Sequence, residues 1–314
     1  MKFISFETIK TIATIPEWID TIDDAMQTYG SGTYTMPKRM HLDYNQNTFL
    51  IMPCVMDDYW ITKLVSFCPE NASSGRPSIY GTVALSDTKT GEPLAIMDGQ
   101  AITAMRTAAV SAVGIKNLAP IDVHSLGIVG AGFQGIYQTI FACSVREISN
   151  IYAYDSSTKN IDHFVEIVSN KYPEINIIKT KDSNEVALNS ELIITATNSQ
   201  HPVFENKKEL FENKTIIGMG SYKPDFREFP EQLFRLTDQI FIDTKDGKTE
   251  SGDLLTPVEN GWTTEDKIHP ITALLKGEVA LSSNTTRFYK TVGCAIFDLF
   301  AAKMIYEKYT KNTH

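Results

Sequence analysis

The sequence predicts an α/β fold in two parts. One is a doubly wound parallel-sheet domain in the middle of the chain; the other is an α+β domain formed by the N-terminal third and the C-terminal tail. Three observations carry this. An apolar run at residues 125–129 leads into Gly130, Gly132 and Gly135 at the G-x-G-x-x-G spacing, and helical sequence follows. Further short apolar runs alternate with helical stretches downstream, as expected of parallel strands buried on both faces. Residues 1–118 lack that alternation and read instead as a helix, several strands with a hairpin turn, and a second, long helix.

Taken in order, residues 15–29 space Ile15, Trp18, Ile19, Ile22 and Met26 at a period near 3.6, which predicts an amphipathic helix. Strand-like segments follow at 48–52, 60–66 and 80–86. Asp87-Thr88-Lys89-Thr90-Gly91 is turn sequence between Val83-Ala84-Leu85 and Leu94-Ala95-Ile96-Met97, so a hairpin is expected. Residues 100–118, rich in alanine, read as a long helix that Pro120 ends. Strands of the second domain are expected at 125–129, 151–154, 175–178, 192–196, 215–219 and 239–243, with a helix at 161–172 among the connections. The tail at 287–309 reads as one helix. The expected division is 1–118 with the C-terminal helix at 287–314, and 119–286.

The glycines define the second domain's purpose. Gly130 permits a tight turn, Gly132 lets the backbone approach a pyrophosphate, and Gly135 lets the helix pack close to its strand. The helix N-terminus then faces the phosphates, as in a Rossmann domain. Gly130, Ala131, Gly132, Phe133, Gln134 and Gly135 are therefore candidate cofactor contacts. The alternative is a glycine-rich turn in an ordinary βαβ unit, which the strand before, the helix after and the acid beyond disfavour. That acid is Asp155, twenty residues after Gly135, at the end of the run Ile151-Tyr152-Ala153-Tyr154. A carboxylate there accepts hydrogen bonds from ribose hydroxyls and repels a 2′-phosphate. The following Ser156 and Ser157 bring no arginine, so NAD(H) is expected over NADP(H).

Composition narrows the partners. The 314 residues suffice for two domains, and a net charge of −9 argues against a nucleic-acid surface. Cys54, Cys68, Cys143 and Cys294 form no C-x-x-C pair and read as buried free thiols of a reducing compartment. The N-terminus lacks a signal-peptide core, and no apolar run reaches the ~18 residues of a membrane span, so a soluble cytoplasmic protein is expected. The six histidines are dispersed without ligand spacing, and no metal site is expected.

Three basic residues of the first domain stand out. Arg39, in Met36-Pro37-Lys38-Arg39-Met40, reads from sequence as a solvated loop arginine. Alternation puts Lys63 on one strand face with Ile61 and Val65, where a lysine either snorkels at an edge or serves a site. Arg106 interrupts a small, apolar helical stretch and needs an anion, either a ligand group or an internal carboxylate.

Together these segments resemble the ornithine cyclodeaminase/mu-crystallin family over nearly the whole chain. The most specific match is Met105-Arg106-Thr107-Ala108-Ala109-Val110-Ser111 ahead of Val129-Gly130-Ala131-Gly132-Phe133-Gln134-Gly135. Others are Met52-Pro53, Lys63 followed by Pro69-Glu70-Asn71, Leu85 to Gly91, and Thr195-Ala196-Thr197-Asn198-Ser199 before Pro202-Val203-Phe204. Further on come Glu250-Ser251-Gly252-Asp253-Leu254 and Lys290 to Asp298. The resemblance implies a homodimer whose first domain carries a small amino-acid substrate, a second domain that binds NAD, and an active site in the cleft between them. It implies that Arg39 clamps the substrate carboxylate and that Lys63 is the active-site lysine. Arg106 and Thr107 would reach the cofactor phosphates, with Arg106 also near the substrate, and Thr197 and Val292 would lie near the nicotinamide. Ala196 and Met219, at strand ends, join Asp155 and Ser156 as candidate cofactor contacts.

One segment departs from the cyclodeaminase pattern Gly-x-Asp-x-Pro-Gly-Lys. Here Met219-Gly220-Ser221-Tyr222-Lys223-Pro224-Asp225-Phe226-Arg227-Glu228 puts Tyr222 at the acid's position, with Asp225 three residues later as the candidate catalytic acid. The pattern looks more like the mu-crystallin and imine-reducing branches. The expected function is NAD-dependent hydride transfer at the α carbon of a small L-amino acid or its imine, since the nicotinamide does that chemistry. The alternatives are cyclodeamination of L-ornithine to L-proline and ammonia, and a non-catalytic dinucleotide-binding protein.

Overall fold

Alternation along the N-terminal strands builds a sheet with one dry face and one wet face. The computed structural model describes residues 1–221 and 223–312, and all of their side chains except those of residues 72 and 73. The chain divides into two units, Met1–Ala109 with Gly293–His314, and Val110–Val292.

The first unit opens with Lys2–Ile4 (β1), Phe6–Ile12 (α1) and Ile15–Ser31 (α2). Thr14 and Glu17 form a capping box at the start of α2, and Gly32, at φ +77°, ends it. The helix buries the expected stripe of Trp18, Ile19, Ile22 and Met26, with Ala25. Met40–Tyr44 (β2), Asn47–Val55 (β3), Tyr59–Phe67 (β4), Ile79–Asp87 (β5) and Pro93–Asp98 (β6) follow. They pair in the order β1-β6-β5-β4-β3-β2, with β1 parallel to β6 and every other pair antiparallel. The hairpin expected around residues 87–91 joins β5 to β6.

On the dry face the register sets Met52 opposite Lys63 and Lys63 opposite Val83, with Cys54, Ile61, Leu85 and Met97 also buried. On the wet face lie Met40, Leu42, Tyr44, Phe49, Leu64 and Tyr80, all exposed. Strand β2 was not anticipated, although Met40-His41-Leu42-Asp43-Tyr44 alternates apolar and polar residues; all five are exposed, the apolar three on the wet face. The helix Gly99–Leu118 (α3) then runs on from the first unit into the second.

The second unit contains Ser125–Val129 (β7), Phe133–Val145 (α4), Asn150–Tyr154 (β8), Thr158–Lys171 (α5), Asn176–Lys179 (β9), Ser183–Asn189 (α6), Leu192–Thr195 (β10) and Thr215–Gly218 (β11). Next come Glu231–Leu236 (α7), Ile240–Ile242 (β12), Gly247–Glu250 (α8), Gly252–Glu259 (α9), Ile268–Pro270 (β13), Ile271–Leu275 (α10) and Arg287–Lys290 (β14). The eight strands are all parallel, in the order β13-β12-β14-β11-β10-β7-β8-β9. Strand order reverses between β7 and β10, the switch point at which doubly wound sheets take ligands. Phe204, Phe211, Phe229, Phe234 and Phe288 pack in the core beneath β10, β11 and β14.

One expectation fails here. Residues 287–290, read as the start of the tail helix, form β14, a central strand with Phe288 and Tyr289 buried between β11 and β12. Arg287-Phe288-Tyr289-Lys290 is too short for periodicity to separate strand from helix, and the strand's two neighbours decide it. The tail helix is Ala295–Asn312 (α11), which belongs to the first unit and crosses the dry face of its sheet against β3, β4 and β5. It also packs on α2, where Lys308 Nζ meets Glu17 Oε1 at 2.5 Å.

At the far end of α3, Arg146 replaces solvent as the cap. Its guanidinium donates to the carbonyls of Ile115, Lys116, Ala119, Pro120 and Val145 at 2.7–3.1 Å. A cation there meets the negative end of the helix dipole and two of its last four carbonyls, those of Ile115 and Lys116. All four cysteines are free thiols, with Cys54 and Cys294 buried and Cys68 and Cys143 half-buried. Among the described residues, no helix is long and apolar enough to cross a membrane, and no His/Cys/Asp/Glu group could hold a metal ion.

Candidate active site

In the second unit, the sequence between β7 and α4 builds a cradle. Gly130 has φ +92°, and a Cβ there would come within 2.6 Å of the Ala196 carbonyl oxygen. A Cβ on Gly135 would lie 2.2 Å from the Gly130 carbonyl oxygen, so the helix can approach the strand only without one. Gly132, the N-cap of α4, is different: nothing lies closer than 4.0 Å to its would-be Cβ. The space beside it is open to an anion at a helix N-terminus, which fits a dinucleotide pyrophosphate.

Asp155 closes the cradle at the end of β8. Its Oδ2 accepts from Ala131 N at 2.8 Å, and its Oδ1 accepts from Ser157 N at 2.8 Å and Asn160 Nδ2 at 3.3 Å. The carboxylate is half-buried and held by three donors, with no basic side chain among Ser156, Ser157 and Thr158 to receive a 2′-phosphate. Phe133 is exposed and stands edge-on to Tyr137. Ser156 is also exposed. Gln134, half-buried beside them, leaves its carbonyl Oε1 without a partner.

The remaining cofactor candidates of this unit gather at the C-terminal ends of neighbouring strands. Ala196 N donates to Val129 O at 2.8 Å, and Met219 N donates to Thr195 O at 3.0 Å. Thr197 is held by Glu228, a buried residue that sequence reasoning did not single out. Val292 N donates to both carboxylate oxygens of the buried Asp243 at 3.1 Å. Asp225 is exposed in the turn after β11 and makes no hydrogen bond or ion pair among the described residues. Tyr222, at the position where cyclodeaminases carry an acid, lies outside the described residues.

In the first unit, the structure brings three of the predicted residues together. Lys63 is 1% exposed, and its Nζ donates to Asp298 Oδ1 at 2.8 Å. Arg106 Nε donates to the same oxygen at 3.1 Å. Arg39 Nη2 donates to the carbonyl oxygen of Gly293, and a Cβ on Gly293 would lie 2.4 Å from Arg106 Nη1. Gly293, at φ +71°, is therefore the point at which both guanidiniums meet the backbone.

Asp298 was missed as a functional residue. The available signal was one acid in the apolar opening of a helix, Ala295-Ile296-Phe297-Asp298-Leu299.

Two cations, Lys63 and Arg106, thus share one carboxylate, and a third, Arg39, is held at the Gly293 carbonyl beside Arg106. Among the described residues the terminal nitrogens of Arg106 take no hydrogen bond, and Lys63 uses only one of its three donors. Thr107, beside Arg106, is buried with its hydroxyl unpartnered. The surplus of positive charge and idle donors suits a small anion such as a carboxylate.

Burial pushes the Lys63 ammonium down to about 8; Asp298 opposes the shift, and Arg106 and Arg39 add to it. Burial alone would raise the Asp298 carboxyl, but the charges of Lys63 and Arg106 outweigh it and hold it below its ordinary range. Burial, then Asp298, lifts the Cys54 thiol to about 12, so it is an inert neighbour.

The family model for the ornithine cyclodeaminase/mu-crystallin family matches residues 2–313. The chain belongs to this family. A Δ1-pyrroline-2-carboxylate reductase of Bacillus cereus is 32% identical over 318 aligned positions, covering 98% of this chain and 96% of the relative. An alanine dehydrogenase of Archaeoglobus fulgidus is 26% identical, covering 96% of this chain and 92% of its own. Among solved structures, the Δ1-pyrroline-2-carboxylate reductase of Thermococcus litoralis, in complex with NADH and L-proline, has a TM-score of 0.94 at 32% identity. That match covers 100% of this chain and 98% of the other.

Proposed function

We propose that this family member is an NAD(H)-dependent oxidoreductase that reduces a small 2-imino acid to the L-amino acid, with a cyclic imine of the Δ1-pyrroline-2-carboxylate class as substrate. The observation that carries it is the pairing of Lys63 and Arg106 on the single carboxylate of Asp298, with Arg39 held at the Gly293 carbonyl beside Arg106. The dinucleotide cradle at Gly130–Gly135 and the reductase names of relatives at 32% identity support the cofactor and the substrate class.

NADH, when bound, supplies the hydride that reduces the imine carbon. The chain's own residues do the rest. Arg39 and Arg106 hold the substrate carboxylate through their guanidinium donors, which fixes the face of the imine that is presented. Lys63 Nζ gives a proton to the imine nitrogen, so the C=N bond becomes C–NH as hydride and proton are added. An ammonium near neutral pKa is suited to that transfer. In the reverse direction the neutral amine of Lys63 takes the same proton back. The acid that cyclodeaminases use is a tyrosine here, Tyr222, which favours net redox chemistry over ornithine cyclisation.

The test is to incubate the purified chain with Δ1-pyrroline-2-carboxylate and NADH or NADPH, and separately with L-ornithine and NAD⁺. Loss of NADH matched by L-proline, slower with NADPH because Asp155 repels the 2′-phosphate, is expected. Ammonia from ornithine with no net NADH would overturn the reading in favour of cyclodeamination.

The unit of function is proposed to be a homodimer. The wet face of the β1–β6 sheet exposes Tyr44 at 71%, Met40 at 52% and Leu64 at 50%, an apolar patch that a second copy would cover. Light scattering should give the dimer mass for the native chain and the monomer mass for Leu64→Lys. A monomeric native chain would refute the proposal. A cytoplasmic setting is proposed as well, because four free thiols suit a reducing compartment.

A further inference from the structure

A second buried ionic network lies wholly within the nucleotide unit, and none of the chemistry above uses it. Glu228 is fully buried in the segment after β11, where a carboxylate is costly unless hydrogen-bonded. Its Oε1 accepts from Thr197 N at 2.8 Å and Thr197 Oγ1 at 2.7 Å, and its Oε2 accepts from Thr195 Oγ1 at 2.8 Å.

The backbone carrying Glu228 is pinned in turn: Glu228 N and Phe229 N donate to Asp253 Oδ1 at 2.8 and 3.1 Å. Asp253 faces Lys290 across 3.7 Å, and Lys290 Nζ donates to the carbonyls of Gly218 and Gly220 at 3.2 and 2.9 Å. Burial, opposed by Lys290, lifts the Asp253 carboxyl to about 6. Gly220 allows the crowding, since a Cβ there would lie 2.2 Å from Thr197 O and 2.4 Å from Glu228 Oε2. The network therefore ties together the C-terminal ends of β10, β11 and β14, three adjacent strands at the ligand edge of the sheet.

We infer that Glu228 is a positioning residue for the nicotinamide end of the cofactor, acting through Thr197. Two features point this way. The carboxylate spends two of its three hydrogen bonds on a single residue two positions beyond β10, fixing both its backbone and its hydroxyl. All three acceptor contacts reach the loop edge at which a doubly wound sheet takes its ligand, and none reaches the far ends of the strands. A buried charged acceptor holds such a loop more firmly than a neutral one, because hydrogen bonds to charge are the stronger ones. The inference rests on the NAD(H) reading above.

The experiment compares binding of NADH with binding of ADP-ribose, which keeps the adenosine and pyrophosphate but lacks the nicotinamide. In Glu228→Gln the amide oxygen can keep Thr197, but the charge on that acceptor is lost and the NH₂ turns to Thr195 Oγ1, which must switch from donating to accepting. NADH affinity should fall about tenfold, while ADP-ribose affinity stays within about twofold. Thr197→Val, which removes the hydroxyl from a half-buried loop residue and leaves the core intact, should give the same pattern in smaller degree. It decides the matter if Glu228→Gln does not fold. Parallel loss of both ligands, or no change in either, would overturn the role and leave Glu228 as structural glue. Failure of the native chain to bind either ligand would overturn the cofactor reading itself.

Discussion

Replacing Lys63 by methionine is expected to lower turnover about 10³-fold while NADH affinity stays nearly unchanged. Methionine fills a similar volume on the dry face between Met52 and Val83, so the sheet loses no packing there. Asp298 keeps Arg106 as its counter-ion, so the change leaves no bare buried charge. What disappears is the group proposed to carry the proton.

The pH profile of the native enzyme supplies the sign. With Lys63 lowered to about 8, imine reduction needs the ammonium and should be full below that value and lost as pH rises through it. Amino-acid oxidation needs the neutral amine and should rise through the same value. Lys63→Arg should erase the inflection in both directions, since a guanidinium does not lose its proton in this range. Turnover by Lys63→Met near the native rate would remove the residue from the mechanism.

Asp298→Asn is expected to cost about 3 kcal/mol of stability in denaturant unfolding, the scale of removing one partner from a buried ion pair. Oδ1 of Asp298 is the shared acceptor of Lys63 and Arg106, and the pair with Lys63 is 1% and 0% exposed. Without the carboxylate, Lys63 and Arg106 repel each other in a dry environment, and the group that can yield is Lys63, by releasing its proton. The loss of stability should therefore come with a fall in the pH at which imine reduction is lost, well below about 8. A variant with native stability and a native pH profile would show that the ion pair has no influence on Lys63.

The nucleotide half was legible because its signals are local. Gly130, Gly132, Gly135 and Asp155 sit within a single βαβ passage, and each has a steric or electrostatic reason to be where it is. The charge on Lys63 was legible as an anomaly on an apolar strand face, but its resolution was not. Asp298 is 235 positions away, and only the return of α11 across the sheet brings the two together. Glu228 was hidden for a similar reason: its partners Thr195 and Thr197 lie on a neighbouring strand end, 33 and 31 positions upstream. The misread strand β14 shows the limit of pattern alone, since four residues carry no period and the chain beyond them is helical.

Strand β4 bears on more than its own packing. Lys63 and Leu64 are consecutive, yet one faces Asp298 and the other faces outward from the sheet. Their separation depends on a parity set by the tight turn at residues 56–59, where Met56 N donates to Tyr59 O at 3.0 Å. One residue added or removed there would swap the two sides of the strand, setting a leucine against a buried carboxylate and a lysine against solvent. The proton transfer proposed for Lys63 and the proposed self-association, which share no side chain, would thereby be inherited together: a length change in a three-residue connection would forfeit both, whereas point changes could forfeit either alone.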